Sequence, residues 1–330
     1  STVINPMQTQ PIITSLMSSH FQDKPLRQVF LVACGGSLVD MYPAHYFLNE
    51  QSENLRSWMM TANEFVHAAP RALGASSLVI VCSHGGNTPE SVAAAQLAKN
   101  RGAATITLTH NAEAELLQWA DHNLLYKWGD DTLVTENPMA LILSLCMDTL
   151  YQVEDFAEWQ AFQHGFAQID TVIRQARAKV VTRCAAFAER YQHESLFYVL
   201  SSGASYGHAY GFAICSLMEM QRLDAASIHS GEFFHGPFEV TDNHVPFILL
   251  MNEGRTRALD QRAQAFLNRY NDKTEVVDAR ELGLNALPAS VVDYFNPVLF
   301  YSIMCDYRAA LADIRQHPLS TRRYMGVVDY

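Results

Sequence analysis

Val29-Phe30-Leu31-Val32-Ala33-Cys34-Gly35-Gly36-Ser37 is matched 168 positions later by Phe197-Tyr198-Val199-Leu200-Ser201-Ser202-Gly203-Ala204-Ser205. Each is an apolar run that ends in a glycine turn and a serine, the pattern of a buried β-strand entering a loop. The same shift carries Glu64-Phe65-Val66-His67 onto Glu232-Phe233-Phe234-His235 and Val79-Ile80-Val81-Cys82 onto Phe247-Ile248-Leu249-Leu250. It also sets Gly86 on Gly254 and Thr88 on Thr256 without any insertion. A constant register over so long a span points to duplication of one unit. The expected division is 1–165 and 166–330.

Within each half, apolar β runs alternate with helical stretches, as in the strand at 78–83, the helix from Pro89 to Lys99 and the strand at 104–109. Such alternation predicts an α/β fold whose parallel sheets are covered by helices on both faces. Asn87 and Thr88 read as a cap for the helix that Pro89 starts. A helix-rich stretch, about 138–190, joins the halves, and Asn296 to Ile314 reads as a late helix.

The 330 residues are 49% hydrophobic and 17% charged, which suits two well-packed domains. A formal charge of -11 leaves no basic face for a nucleic acid. Neither a signal peptide nor a membrane-spanning run is present, so a cytoplasmic protein without a membrane partner is expected. The six cysteines are scattered and read as buried free thiols.

Ser83-His84-Gly85-Gly86-Asn87-Thr88 links a strand to a helix. Free amides, the positive end of the helix and two hydroxyls make such a loop suited to a phosphate; an ordinary capped turn is the alternative. The second half reads Met251-Asn252-Glu253-Gly254-Arg255-Thr256 in the same register, with a carboxylate where an anion would sit. Only the first loop is therefore expected to bind one. Gly35, Gly36 and Ser37 form a companion turn at the same sheet edge. The loops lack the GxGxxG and Walker-lysine patterns, so neither a dinucleotide nor a nucleoside triphosphate is favoured.

Glu219 stands near the end of an apolar helix that starts near Ser205, where burial would suit it to proton transfer. Pairing with Arg222 at i+3 is the ordinary alternative. His235 lies in an aromatic, turn-rich stretch. Its spacing to His229 and Glu232 does not match zinc-binding helices, and no metal is expected.

Ala33 to Ser37, Ser83 to Thr88, Met218-Glu219-Met220, Ile228 to Pro237 and Arg322-Arg323-Tyr324 together resemble the sugar isomerase (SIS) family. The similarity is to its double-domain form, and within it to the deglycases of Amadori products. The resemblance implies phosphate contacts from Ser37, Ser83, His84 and Thr88, with Gly35, Gly36 and Gly86 shaping the site. It implies Glu219 and His235, sixteen residues apart, as the catalytic pair. It further implies a homodimer with the site near the subunit interface, a phosphosugar substrate and no cofactor. Two departures stand out from the related synthase isomerases and the usual family loop: Gly85 replaces a common serine, and Ser216 stands where the synthases have lysine. No glutaminase-type segment precedes, so an ammonia-channelling synthase is not expected. Glu136, Asn137, Arg322 and Arg323 are the candidate contacts to the amine. The expected activity is hydrolysis of a 6-phosphofructosyl amine, with aldose–ketose isomerisation and non-catalytic sugar-phosphate sensing as alternatives.

Overall fold

The computed structural model describes residues 2–3, 6–129 and 132–330; Ser1, in the N-terminal stretch read for a signal peptide, lies outside them. The chain divides into two compact units, Ser1–Ala167 and Gln168–Tyr330.

The first unit holds β1 (Thr2–Val3), β2 (Gln28–Ala33), β3 (Arg56–Thr61), β4 (Ser77–Cys82), β5 (Ala104–Thr109) and β6 (His122–Leu125). They form one sheet in the order β1-β6-β5-β4-β2-β3, and every pairing is parallel. The second unit holds β7 (Leu196–Ser201), β8 (Asp224–His229), β9 (Phe247–Met251) and β10 (Thr274–Asp278), in the order β10-β9-β7-β8. These pairs are parallel too.

The central order is thus the same twice, with β5-β4-β2-β3 answered by β10-β9-β7-β8. The register agrees as well: Gln28 faces Arg56 and Leu196 faces Asp224, while Phe30 faces Val79 and Tyr198 faces Phe247. Every one of these residues maps onto its counterpart by the 168-residue shift read from the sequence. The turn glycines agree in backbone as well, with φ of 54° at Gly35 and 57° at Gly203. That left-handed region is open to glycine at no steric cost.

Parallel strands bury both faces because crossover helices cover both. In β2 and β4, Phe30, Val32, Val79 and Val81 pack on one face against Ala62 and Phe65 of helix Ala62–His67 and Ala94, Ala95 and Ala98 of helix Pro89–Asn100. Val29, Leu31, Leu78 and Ile80 alternate with them and are equally inaccessible. In the second unit Leu200, Phe247, Leu249 and Met251 pack with Ala263 and Leu267 of helix Arg257–Tyr270.

Helices Pro138–Glu154 and Trp159–Tyr191 account for the helix-rich stretch, and helix Asn296–Ile314 follows the reading of the sequence. One helix departs from it. The run from Tyr206 is α-helical only to Gly211 and continues as a π-helix, Phe212–Glu219.

Candidate functional site

In the first unit, Ser83 follows β4 directly and its amide donates to the Leu108 carbonyl at 3.0 Å. Its Oγ accepts from the Gly86 amide at 3.1 Å and lies 3.2 Å from Thr88 Oγ1, so the loop closes around one hydroxyl. Gly86 has φ of 73°, and a Cβ there would meet Ala114 Cβ at 2.2 Å. Only glycine fits. The expected cap is not the one seen. Thr88 makes no side-chain cap bond, and Asn87 Oδ1 instead accepts from the Glu115 amide at 2.8 Å. Thr88 Oγ1 therefore remains beside Ser83, at the start of the helix, where an anion is best held.

His84 is oriented by neighbours. Its Nδ1 lies 2.8 Å from Tyr126 Oη, and its ring stacks on His110 with centroids 5.1 Å apart. Burial, then the nearby His110, lowers its pKa, so at neutral pH the ring acts as a neutral hydrogen-bonding group. Ser37 follows the exposed Gly35 and Gly36 and hydrogen-bonds the Cys82 thiol. Just beyond it, burial pushes the Asp40 carboxyl up to about 8, so this acid is mostly protonated at neutrality and presents little charge to an anion at the sheet edge. Of the candidate amine contacts in this unit, Glu136 pairs with Lys127 at 3.1 Å, and the buried Asn137 Oδ1 has no hydrogen-bond partner among the described residues.

The second unit has used up the same edge. Asp260, inside helix Arg257–Tyr270, accepts from Ser202 Oγ at 2.7 Å, Ser230 Oγ at 2.8 Å, the Asn252 amide at 2.9 Å and Asn252 Nδ2 at 2.8 Å. The protein's own carboxylate thus takes the donors at the ends of these strands. Glu253 is held by Arg280 through contacts of 2.6 and 3.1 Å, which neutralises the charge that the sequence set against an anion. Asp260 is the stronger reason for the difference between the loops, and sequence reading missed it.

Glu219 is placed by the end of the π-helix, a rare form that is frequently found at functional sites. Its partner is not Arg222. Arg222 adopts φ of 55° just past the helix, and it is Arg322, in the C-terminal tail, that donates Nη2 to Glu219 Oε2 at 2.7 Å. The side chains are 26% and 23% exposed, so the pair is reachable from solvent. Arg322 is anchored in turn by the carbonyls of Leu319 and Thr321, while the Arg323 guanidinium lies 5.7 Å from the Tyr324 ring.

His235 is exposed in the turn after β8, and its amide donates to the Glu232 carbonyl at 2.9 Å. The turn is fixed from below: Phe233 is fully buried against Phe247 and Phe266, and Arg262 lies 4.0 Å from the Phe234 ring. Two large anchors beside it leave His235 pointing from a rigid frame. His229 Nδ1 accepts from the Gly231 amide, and among the described residues no cluster suited to a metal is found.

Ser216 is hydrogen-bonded by Arg308 Nη1 at 3.2 Å, so a cation does stand beside this position, supplied from helix Asn296–Ile314. The six cysteines are free, with Cys82, Cys146 and Cys184 buried and Cys34, Cys215 and Cys305 half-buried.

Comparison with known proteins sets this geometry in a family. The SIS domain model matches residues 26–147, and the chain belongs to the SIS-domain family. It is 40% identical over 307 residues to fructosamine deglycase FrlB of Bacillus subtilis, covering 93% of this chain and 94% of that one. Fructoselysine 6-phosphate deglycase of Escherichia coli O157:H7 is 24% identical over 310 residues, 93% of this chain and 88% of the relative. A Salmonella typhimurium LT2 crystal structure, solved as a candidate phosphosugar isomerase, superposes with a TM-score of 0.95 at 39% identity, covering 98% and 97% of the two chains.

Proposed function

We propose that the chain is a deglycase hydrolysing a 6-phosphofructosyl amine to glucose 6-phosphate and the free amine. The observation that carries this reading is the 40% identity to a fructosamine deglycase along nearly the whole chain. The Ser83–Thr88 loop holds the 6-phosphate, assisted by Ser37 and His84, and that binding energy orients the reacting carbons. His235 assists ring opening. Glu219 then takes a proton from C1 and, through an enaminol, returns one to C2, leaving an imine between C1 and nitrogen. Water adds at C1, the C–N bond breaks and the amine departs, so the hydrolysis consumes one water.

The assembly proposed is a homodimer in which one subunit's histidine serves the other's site. The six free thiols suit a reducing cytoplasm, and among the described residues no helix is long and apolar enough to cross a membrane. The test is to incubate the protein with a 6-phosphofructosyl amine and with fructose 6-phosphate. Glucose 6-phosphate and free amine from the first substrate support the deglycase. Interconversion of the second alone would replace it with an isomerase.

A further inference from the structure

The half-buried Arg308 and the buried His208 form a polar pair that the reaction as proposed above leaves unused. Among the described residues Arg308, on helix Asn296–Ile314, has no carboxylate partner; its one hydrogen bond there goes to Ser216, and its Nε is buried without an acceptor. His208 is only 7% exposed, yet neither ring nitrogen has a hydrogen-bond partner among the described residues. Ser205, one turn earlier, is fully buried and its Oγ is also unsatisfied. Unmet polar groups of this kind are costly to bury, more so when charged, and native proteins hold few of them. The imidazole is neutral, because burial and then Arg308 lower its pKa to about 3. The group therefore offers one fixed positive charge with neutral donors and lacks one anion.

Its position suggests which anion. Arg308 contacts Ser216, and Ser216 stands three residues before Glu219 on the same π-helix. The carbon on which Glu219 acts carries the amine, so the amine's own substituents fall among Glu219's neighbours. A guanidinium fork matches a carboxylate in shape and charge. The geometry points to Arg308, with His208 and Ser216 beside it, as the recess that receives the carboxylate of an amino-acid portion of the substrate. This rests on the deglycase reading and makes Arg308 a specificity-determining residue.

The experiment compares 6-phosphofructosyl-glycine with 6-phosphofructosyl-methylamine, which differ by the carboxylate alone, in wild type, Arg308→Met and Arg308→Lys. Wild type should favour the glycine compound at least about tenfold in kcat/KM, the worth of one charge-assisted hydrogen bond. Arg308→Met should collapse that ratio towards one, chiefly through KM, and Arg308→Lys should restore part of it. Thermal melting checks that each variant is folded, and partial rescue by lysine shows the effect to be one of charge. Equal rates for both compounds in wild type, or an unchanged ratio in a folded Arg308→Met, would overturn the assignment while leaving the deglycase intact. A loss shared equally with fructose 6-phosphate binding would give the recess to phosphate and also overturn it. Failure of wild type to cleave either compound overturns the reaction itself.

Discussion

Arg322 Nη2 donates to Glu219 Oε2 at 2.7 Å across 103 residues of chain, binding the tail to the carboxylate on which the proposed chemistry depends. A half-exposed pair of this kind is worth no more than about 1 kcal/mol in stability. Its significance lies in position: the guanidinium holds Oε2 of the carboxylate proposed to move the proton.

Glu219→Gln keeps the size and the acceptor that Arg322 uses but cannot carry a proton. Turnover is expected to fall at least about a hundredfold, with the melting temperature and KM nearly unchanged. Single-turnover rates and melts on one preparation decide the matter. A folded Gln variant with full activity removes Glu219 from catalysis.

Ser83→Ala removes the acceptor of the Gly86 amide and the neighbour of Thr88. A hydrogen bond to a charged group is worth about 1.5–3 kcal/mol, so KM for a phosphosugar should rise at least about tenfold. Glu253→Ala, in the equivalent loop of the second unit, should leave KM unaltered. Titrating both variants with fructose 6-phosphate separates the loops, and equal effects would show the assignment of one phosphate loop to be wrong.

Gly35 and Gly86 are both left-handed, yet alanine should cost unequal amounts. At Gly35 a Cβ meets nothing within 4 Å among the described residues, so only the backbone penalty of about 1–2 kcal/mol applies. At Gly86 the Cβ would also lie 2.2 Å from Ala114 Cβ, and several kcal/mol more should be lost. Urea midpoints that rank the two alike would contradict the steric account.

Much of this architecture can be read from the sequence. Strand positions and turn glycines are local consequences of apolar runs and Gly-Ser turns, and duplication wrote them twice, whereas the strand order rests on pairings between distant segments. Glu219 and His235 were marked by spacing within a resemblance. What was hidden depends on contacts distant in sequence. Nothing near Glu219 indicates that its partner is Arg322 rather than Arg222. Asp260 looks like a surface helix residue until Ser202, Ser230 and Asn252 converge on it. The π-helix was invisible because periods of 3.6 and 4.4 residues are hard to tell apart over eight apolar positions. His208 had one signal, an ionisable residue at the same repeat position in both units, Asp40 in the first and His208 in the second, whereas Arg308 falls on Ala140 and had none.

That repeat position should give opposite pH slopes. Asp40 titrates near 8 when folded against an ordinary 3.8, so the folded state holds more protons in that window and stability falls as pH rises through it. His208 titrates near 3 when folded against 6.5, so its contribution is complete above 6.5 and is lost as pH falls towards 3. Asp40→Asn should match wild type near pH 4 and exceed it by a few kcal/mol at pH 9. His208→Gln should lose less stability than wild type between pH 6.5 and 4. Urea midpoints across pH test both, and parallel curves for variant and wild type would refute the burial effect.

The two loop glycines are walled in by different segments. Behind Gly86 stand Ala114 and Thr109, and behind Gly254 stands Asp293, whose Oδ1 would be 1.7 Å from an added Cβ. The proposed phosphate loop is therefore not an interchangeable cassette. Grafting Ser83–Thr88 onto the second unit would leave it facing a carboxylate wall, with Asp260 still occupying the strand ends. A functional transplant would have to carry the 109–116 backing with it and empty position 260, which explains how duplicated halves can drift into separate duties without either easily reverting to the other's.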